Sequence, residues 1–164
     1  MTKKKDNEAD RYKIAGSNRR ASTRYEIIET LEAGIVLTGP EVKSLRAGGV
    51  QLQDGFARIE NEQAYLWNVH IAPYAMGSLH VVQDPTRKRK LLLHHKEILK
   101  WMGKTQIKGL TIVPLEIYFN PKGIAKIKLG LCKGKRGPDQ REDIKKRTVQ
   151  REMQREFAGK YKVR

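Results

Sequence analysis

Apolar residues recur along this chain mostly at every second position and only in short stretches at every third or fourth, a pattern that predicts strands punctuated by brief helices. Tyr25 to Ala33 is rich in β-formers and runs almost without a break into Gly34-Ile35-Val36-Leu37-Thr38, with Gly34 expected as a hinge or bulge between two antiparallel strands. Gly39-Pro40 stops that ladder. Val42 and Leu45 then form the inward stripe of a helix whose Glu41, Lys43, Ser44 and Arg46 read first as its solvated face, with a recognition surface as the alternative. Phe56 to Glu60 and Ala64 to Ile71, parted by Asn61-Glu62-Gln63, form a hairpin in which Tyr65, Trp67 and Val69 oppose Leu66, Asn68 and His70; either face suits the core.

Residues 72–90 contain Pro73, Gly77, Pro85 and Arg87-Lys88-Arg89-Lys90, and read as a long surface loop with a basic tip. Leu91 to Met102 reads as a helix that covers a barrel end with Leu92, Ile98, Leu99 and Met102 and stops at Gly103. Leu110 to Phe119 and Ile124 to Cys132 form a hairpin about Asn120-Pro121-Lys122-Gly123. Ile127, Leu129 and Leu131 face in, Lys126 and Lys128 face water, and Pro114 marks an edge or bulge. The sum is a mainly β protein, an antiparallel β-barrel of the oligonucleotide-binding type with about six strands and two or more short helices.

Charge sets the boundaries. The net charge is +16, but residues 1–24 hold eight Lys/Arg and three Asp/Glu, and residues 133–164 hold twelve and five. Such flanks bury too little apolar surface to offset chain entropy, so a flexible basic segment (1–16), a folded body (17–132) and a basic tail (133–164) are expected. A domain this basic points to a polyanion, and nucleic acid is favoured over a membrane surface. No apolar run approaches the ~20 residues of a membrane span, and the Lys-rich start is unlike a secretory signal, so a cytoplasmic protein is expected.

Catalytic and metal-binding patterns fail on spacing. Gly103-Lys104-Thr105 lacks the glycine a phosphate loop needs, since Ile98 stands there. His94-His95 are adjacent rather than one helical turn apart, and His70 and His80 lack ligand partners. Asp54 and Glu60 have no base or nucleophile beside them, and Cys132 reads as a small buried hydrophobe. No enzyme, metal or cofactor is expected. Binding chemistry is better supplied: Asn18-Arg19-Arg20, Arg87 to Lys90 and Lys133 to Arg136 are expected to ring one region, with Tyr25, Tyr65, Trp67, Tyr74 and Trp101 as stacking planes.

The tail carries its own pattern. Val149, Met153, Phe157 and Tyr161 recur every four residues, and Glu142 with Lys146 and Asp143 with Arg147 are favourable i,i+4 pairs. This predicts a helix from about residue 139 that is marginal and disordered when free and forms in a polyanionic groove.

Four separated blocks carry a resemblance: Asn18-Arg19-Arg20-Ala21, then EAGIVLTGPEVKSLRAG from Glu32, DPTRKRKLLLHHKEI from Asp84 and GLCKGKRGPDQREDIKKR from Gly130. In that order they resemble the SmpB family, the SsrA-binding proteins of bacterial trans-translation, from about residue 12 onward. The resemblance implies a protein that binds the tRNA-like domain of transfer-messenger RNA at its elbow and stands where an anticodon arm would be. The RNA, charged with alanine and delivered by elongation factor Tu with GTP, then enters the vacant A site of a stalled ribosome, and the nascent chain is tagged. It implies RNA contacts at Asn18, Arg19, Glu32 and Leu92, with Arg20 and Arg89 beside them, and Glu32 as a base-edge acceptor. His94 stands where an asparagine is common.

In the tail, Lys133, Lys135, Arg136, Pro138, Asp139, Arg141, Lys145, Lys146, Arg147, Met153 and Phe157 are implied as contacts to the decoding centre and the empty message channel. Pro138 stands where a histidine that stacks on a decoding-centre base is frequent. A monomer, one per transfer-messenger RNA, is implied. A ribosomal or assembly protein would show the same charges and aromatics, and a basic-surfaced nuclease some of them.

Overall fold

The structure, a computed structural model, describes residues 12–74, 83–135 and 137–160. In chain order the elements are β1 (Lys13–Ser17), α1 (Ala21–Arg24), β2 (Tyr25–Ile35), α2 (Gly39–Arg46), β3 (Val50–Gln51), β4 (Phe56–Glu60), β5 (Gln63–Trp67), β6 (His70–Ile71), β7 (Arg89–Leu92), α3 (His95–Thr105), β8 (Leu110–Phe119), β9 (Ala125–Gly134) and α4 (Gly137–Lys160). Strands β4, β5, β7, β2, β9 and β8 are hydrogen-bonded in that order, all antiparallel, and β8 pairs again with β4. That closes the expected barrel at six strands. Strand β1 joins the far half of β8, from Glu116 to Phe119, so the sheet begins at Lys13, inside the segment expected to be flexible.

Closure needs bends, and they fall at three places. Register shifts between Ile27 and Glu29 in β2 and between Pro114 and Glu116 in β8 are bulges, the second beside the proline that predicted it. Gly34 is not the hinge: β2 runs straight through it, pairing Gly34 with Leu92 of β7 and with Lys126 of β9. A Cβ there would lie 3.1 Å from the Leu92 Cβ, so the glycine makes room for a cross-strand neighbour. The third bend is at Asn68, whose φ of 53° resets the alternation after β5. Leu66 and Val69 are therefore both fully buried, whereas strict period-2 reading puts them on opposite faces. The β4–β5 turn uses Asn61 and Glu62, both with positive φ as a two-residue hairpin requires.

The core packs Ala33, Ile35, Leu45, Leu66, Ile71, Leu91, Trp101, Ile117, Ile127 and Leu129. Helix α3 starts later than its sequence suggests. Leu91 and Leu92 belong to β7, and the amphipathic stripe comes down to buried Ile98 and Trp101, leaving Leu92 and Leu99 exposed. Gly103 lies inside the helix rather than ending it. A smaller apolar cluster outside the barrel, under α1, joins Ala21, Val113 and Cys132, and burial pushes the Cys132 thiol up to about 11. Helix α4 occupies the stretch of tail in which a helix is expected to form on a partner.

Helix α2 corrects its own sequence reading. Thr38 is its N-cap, and its backbone N–H donates to the Glu41 carboxylate at 2.9 Å. That orientation turns Glu41, expected in solvent, inward: Arg87 Nη2 reaches it at 2.6 Å and Arg89 Nε at 2.8 Å. Ser44 is buried as well. Because β7 alternates Arg89 and Leu91 inward with Lys90 outward, Arg89 is fully buried, and its guanidinium also donates to the carbonyls of Val69 (2.8 Å) and Pro85 (2.9 Å). The basic loop tip is thus half structural.

Two carboxylates tie stability to pH. Burial pushes the Glu41 carboxyl up, but hydrogen bonds from Arg87, Thr38 and Arg89 outweigh it and leave it below its ordinary value. Glu29 of β2, bonded by Lys100 and Lys104 of α3, is lowered to about 2. Both folded values lie below the unfolded 4.5, so their contribution is complete above about pH 5 and is lost as pH falls towards 2. The thermal midpoint is therefore expected to hold from neutrality to about pH 5 and fall below it, with Glu29→Gln reducing the fall. A midpoint flat down to pH 2.5 contradicts this assignment.

Candidate nucleic-acid interface

Three depressions on the outer wall of the barrel run into one another. The first, of about 330 Å³, lies by α1 and is lined by Asn18, Arg19, Ser22, Thr30 and Lys128. The second, of about 460 Å³, shares Thr30 and Lys128 and adds Tyr12, Ile14, Glu32 and Tyr118. The third, of about 550 Å³, shares Glu32 and continues over Gly34, Lys126, Lys90, Leu92 and His94. Together they form a trough from the β1–α1 junction to the N-terminus of α3. It draws on three of the four resemblance blocks, which chain folding brings to one wall.

Register explains how. Glu32 of β2 stands opposite Lys128 of β9, and Lys128 pairs in turn with Glu116 of β8; one step on, Gly34, Lys126 and Tyr118 form the next row. The Tyr118 hydroxyl donates to one Glu32 oxygen, and Lys126 Nζ lies 3.5 Å from the other. Burial and the adjacent Glu32 carboxylate push the Tyr118 hydroxyl well above its usual range, so it stays protonated and a donor. Tyr12 packs edge-on to the Tyr118 ring. The Glu32 side chain, 54% exposed, is oriented by these neighbours and keeps acceptor capacity towards solvent. Leu92 is exposed beside it. His94 is the N-cap of α3, its backbone N–H donating to Glu97 at 3.0 Å, and its ring stands exposed at the trough's end.

The expected site residues divide. Arg19 and Arg20 are exposed beside α1, and Glu32, Leu92 and His94 share the trough. Asn18 and Arg89 are both buried, although Asn18 still lines the depression by α1. Asn18 Nδ2 donates to the carbonyls of Leu52 (3.3 Å) and Pro114 (3.2 Å), stapling the β1–α1 junction to β8. Arg89 is committed to Glu41, leaving Lys90 as the β7 cation in the trough. Trp101, expected as a stacking plane, is core, while Tyr74 lies beneath Lys43. Sequence reading missed Tyr118 and saw Lys126 and Lys128 only as water-facing. Their period-2 pattern was visible, but the strand opposite them was not.

In the tail, Lys133 pairs with Glu26 next to the end of β9, and the Lys135 backbone N–H donates to the Arg24 carbonyl at 3.0 Å while its Nζ reaches the Ser22 carbonyl at 3.1 Å. Arg147 of α4 donates to the hydroxyls of Ser22 (2.9 Å) and Thr23 (2.8 Å). Lys145, Lys146 and Met153 are exposed. Arg136 lies outside the described residues, as do the side chains of Pro138, Asp139, Arg141 and Phe157.

A family model described as SmpB protein matches residues 15–159. Among curated relatives, the SsrA-binding protein of Acaryochloris marina (strain MBIC 11017) is 51% identical over 147 residues, covering 90% of this chain and 95% of its own. That of Enterococcus faecalis (strain ATCC 700802 / V583) is 50% identical over 143 residues, covering 87% and 92%. A chain in a solved structure described as "tmRNA-SmpB: a journey to the center of the bacterial ribosome" is 53% identical with a TM-score of 0.65, covering 80% of this chain and 94% of that one.

Proposed function

Because the chain belongs to the SmpB protein family, we propose that it is a non-catalytic, cytoplasmic RNA-binding protein of trans-translation, binding the tRNA-like domain of transfer-messenger RNA in the trough. The observation that carries this is the convergence of Arg19, Glu32, Leu92 and His94 on one wall lined with lysines. Lys90, Lys126 and Lys128, with Arg19 and Arg20, neutralise phosphates whatever the sequence. Glu32, pre-oriented by Tyr118, accepts a hydrogen bond from a base-edge amine, which a phosphate cannot offer. Leu92 supplies an apolar contact to an unstacked base.

One protein per RNA then stands in place of an anticodon arm. The RNA arrives charged with alanine and escorted by elongation factor Tu with GTP, the tail enters the decoding centre and the empty message channel, and the stalled chain is tagged. Lys133, Lys135, Arg136, Arg141, Lys145, Lys146 and Arg147 face ribosomal RNA there, with Asp139 among them. Pro138 gives a non-aromatic face to a decoding-centre base, while Met153 and Phe157 supply the apolar stripe. In the free protein Ile144, Val149 and Met153 of α4 are each about half exposed, so this helix gains little from packing. Its amides are expected to exchange within seconds when free and to slow on the ribosome; slow exchange in the isolated protein sinks the coupled-folding reading.

Glu32→Arg tests the trough. It puts a long cation where an amine is recognised, and binding to the tRNA-like domain is expected to fall at least ~100-fold, in keeping with the cost of disrupting a charge-assisted contact. Its exposed ion pair is worth at most about 1 kcal/mol, so thermal unfolding should barely move. An unchanged gel shift would make Glu32 a structural partner of Tyr118 instead.

A further inference from the structure

The trough leaves most of one barrel wall unused. On the outer face of β4, β5 and β7, register sets Phe56 against Trp67, Arg58 against Tyr65, and Tyr65 beside Lys90, while Ala57, Leu66 and Leu91 point into the core. The Phe56 and Trp67 rings stack within 7° at 6.5 Å between centroids. Lys88 Nζ stands 3.9 Å from the Tyr65 ring centre and 4.7 Å from that of Trp67, and the Arg58 guanidinium lies 5.7 Å from Phe56. Lys88 also pairs with Glu60 at 2.5 Å.

Three half-buried rings with exposed cations over them are unnecessary to a core that Ala57, Ala64 and Leu66 already fill. Their chemistry fits unpaired nucleobases, which stack on aromatic faces of any sequence, and the phosphates between them. An acidic peptide would engage the cations but leave the ring planes unused. The patch also adjoins the trough, because Gln63 and Lys90 line both.

We propose that this face is a second RNA subsite, holding one or two unpaired bases on Tyr65 and Trp67, with Arg58, Lys88 and Lys90 on the adjoining phosphates. The inference rests on the RNA-binding reading above and extends its footprint around the barrel. Lys88 leaves Glu60 and the rings for a phosphate as the base enters. Only Trp67 and Trp101 fluoresce as tryptophan, and Trp101 is 1% exposed, so a base stacking here is seen through Trp67.

The test titrates the full chain with decameric oligoadenylate and, separately, with the tRNA-like domain. Oligoadenylate is expected to quench tryptophan emission, and the quenching to vanish in Trp67→Phe, which keeps a ring and the fold. Tyr65→Leu combined with Lys88→Ala should weaken oligoadenylate at least ~10-fold, as removal of one stacking plane and one phosphate-binding cation implies, with Tyr65→Phe restoring most of it. Glu32→Arg should leave oligoadenylate binding intact. Wild-type protein that binds the tRNA-like domain but neither binds oligoadenylate nor is quenched by it overturns the subsite and leaves the trough standing. Loss of oligoadenylate binding in Glu32→Arg overturns it too, assigning that binding to the trough.

Discussion

Arg89→Ala is expected to cost about 3–5 kcal/mol of folding stability, the usual result of removing one partner from a buried ion pair. Arg89 is wholly buried, and removing it deprives the Glu41 carboxylate of its Nε donor and the Val69 carbonyl of its Nη1 donor, and leaves the Pro85 carbonyl with the Ile71 N–H alone. Arg87 cannot compensate, since its own guanidinium already occupies both Glu41 oxygens and is partly solvated. For a chain of this size the loss corresponds to a fall of roughly 10 °C in the thermal midpoint. Below that midpoint RNA affinity should be nearly unchanged, because the side chain offers the RNA no surface. A variant that unfolds normally yet loses RNA binding would return Arg89 to the interface that sequence resemblance assigned it. Replacing Glu41 and Arg89 together with apolar residues of similar volume should recover part of the loss, because the Glu41 carboxylate is then no longer buried with Arg87 as its one remaining guanidinium partner.

Truncation after Lys135 should abolish tagging of stalled chains while changing the dissociation constant for the isolated tRNA-like domain less than ~3-fold. The cut leaves β9 whole, with its last register pair, Tyr25 to Gly134, and the Lys135 bond to Arg24. What it removes is a basic helix whose described side-chain contacts with the body are those of Arg147 with Ser22 and Thr23. Since Ser22 lines the same depression as Arg19, the alternative is concrete: the tail lays its cations on the same RNA. In that case truncation lowers affinity and flattens the dependence on salt by roughly 0.9 for each phosphate the tail had neutralised. Affinity measured at several salt concentrations, with and without the tail, separates two surfaces with two partners from one extended surface.

Much of this was legible along the chain because it depends on neighbours in sequence. The β8–β9 hairpin was, since Lys126 and Lys128 alternate with Ile127 and Leu129 about a turn whose Asn120 and Gly123 supply a side-chain acceptor and a positive φ. So were the bulge at Pro114, helix α2, although it already includes Gly39-Pro40 as its first turn, and the helical pattern of the tail. The order of four motif blocks pointed to the family before any coordinate did.

Register and sidedness were decided only in three dimensions. Whether an arginine in RKRK meets water depends on which parity of β7 faces the core, and the chain around it is too short and too basic to say; Leu66 across the sheet and Glu41 from α2 settle it. Gly34 looked like a hinge because a glycine's freedom is readable locally, whereas the Leu92 side chain that requires it comes from a strand 58 positions away. Asn18 and Glu32 carry the same kind of polar signal in sequence, yet one staples two carbonyls and the other stands open between Tyr118 and Lys126. Hydrogen-bond partners distant in sequence make that difference: local pattern determines which element forms, and the closed barrel determines which side chains are left for a ligand.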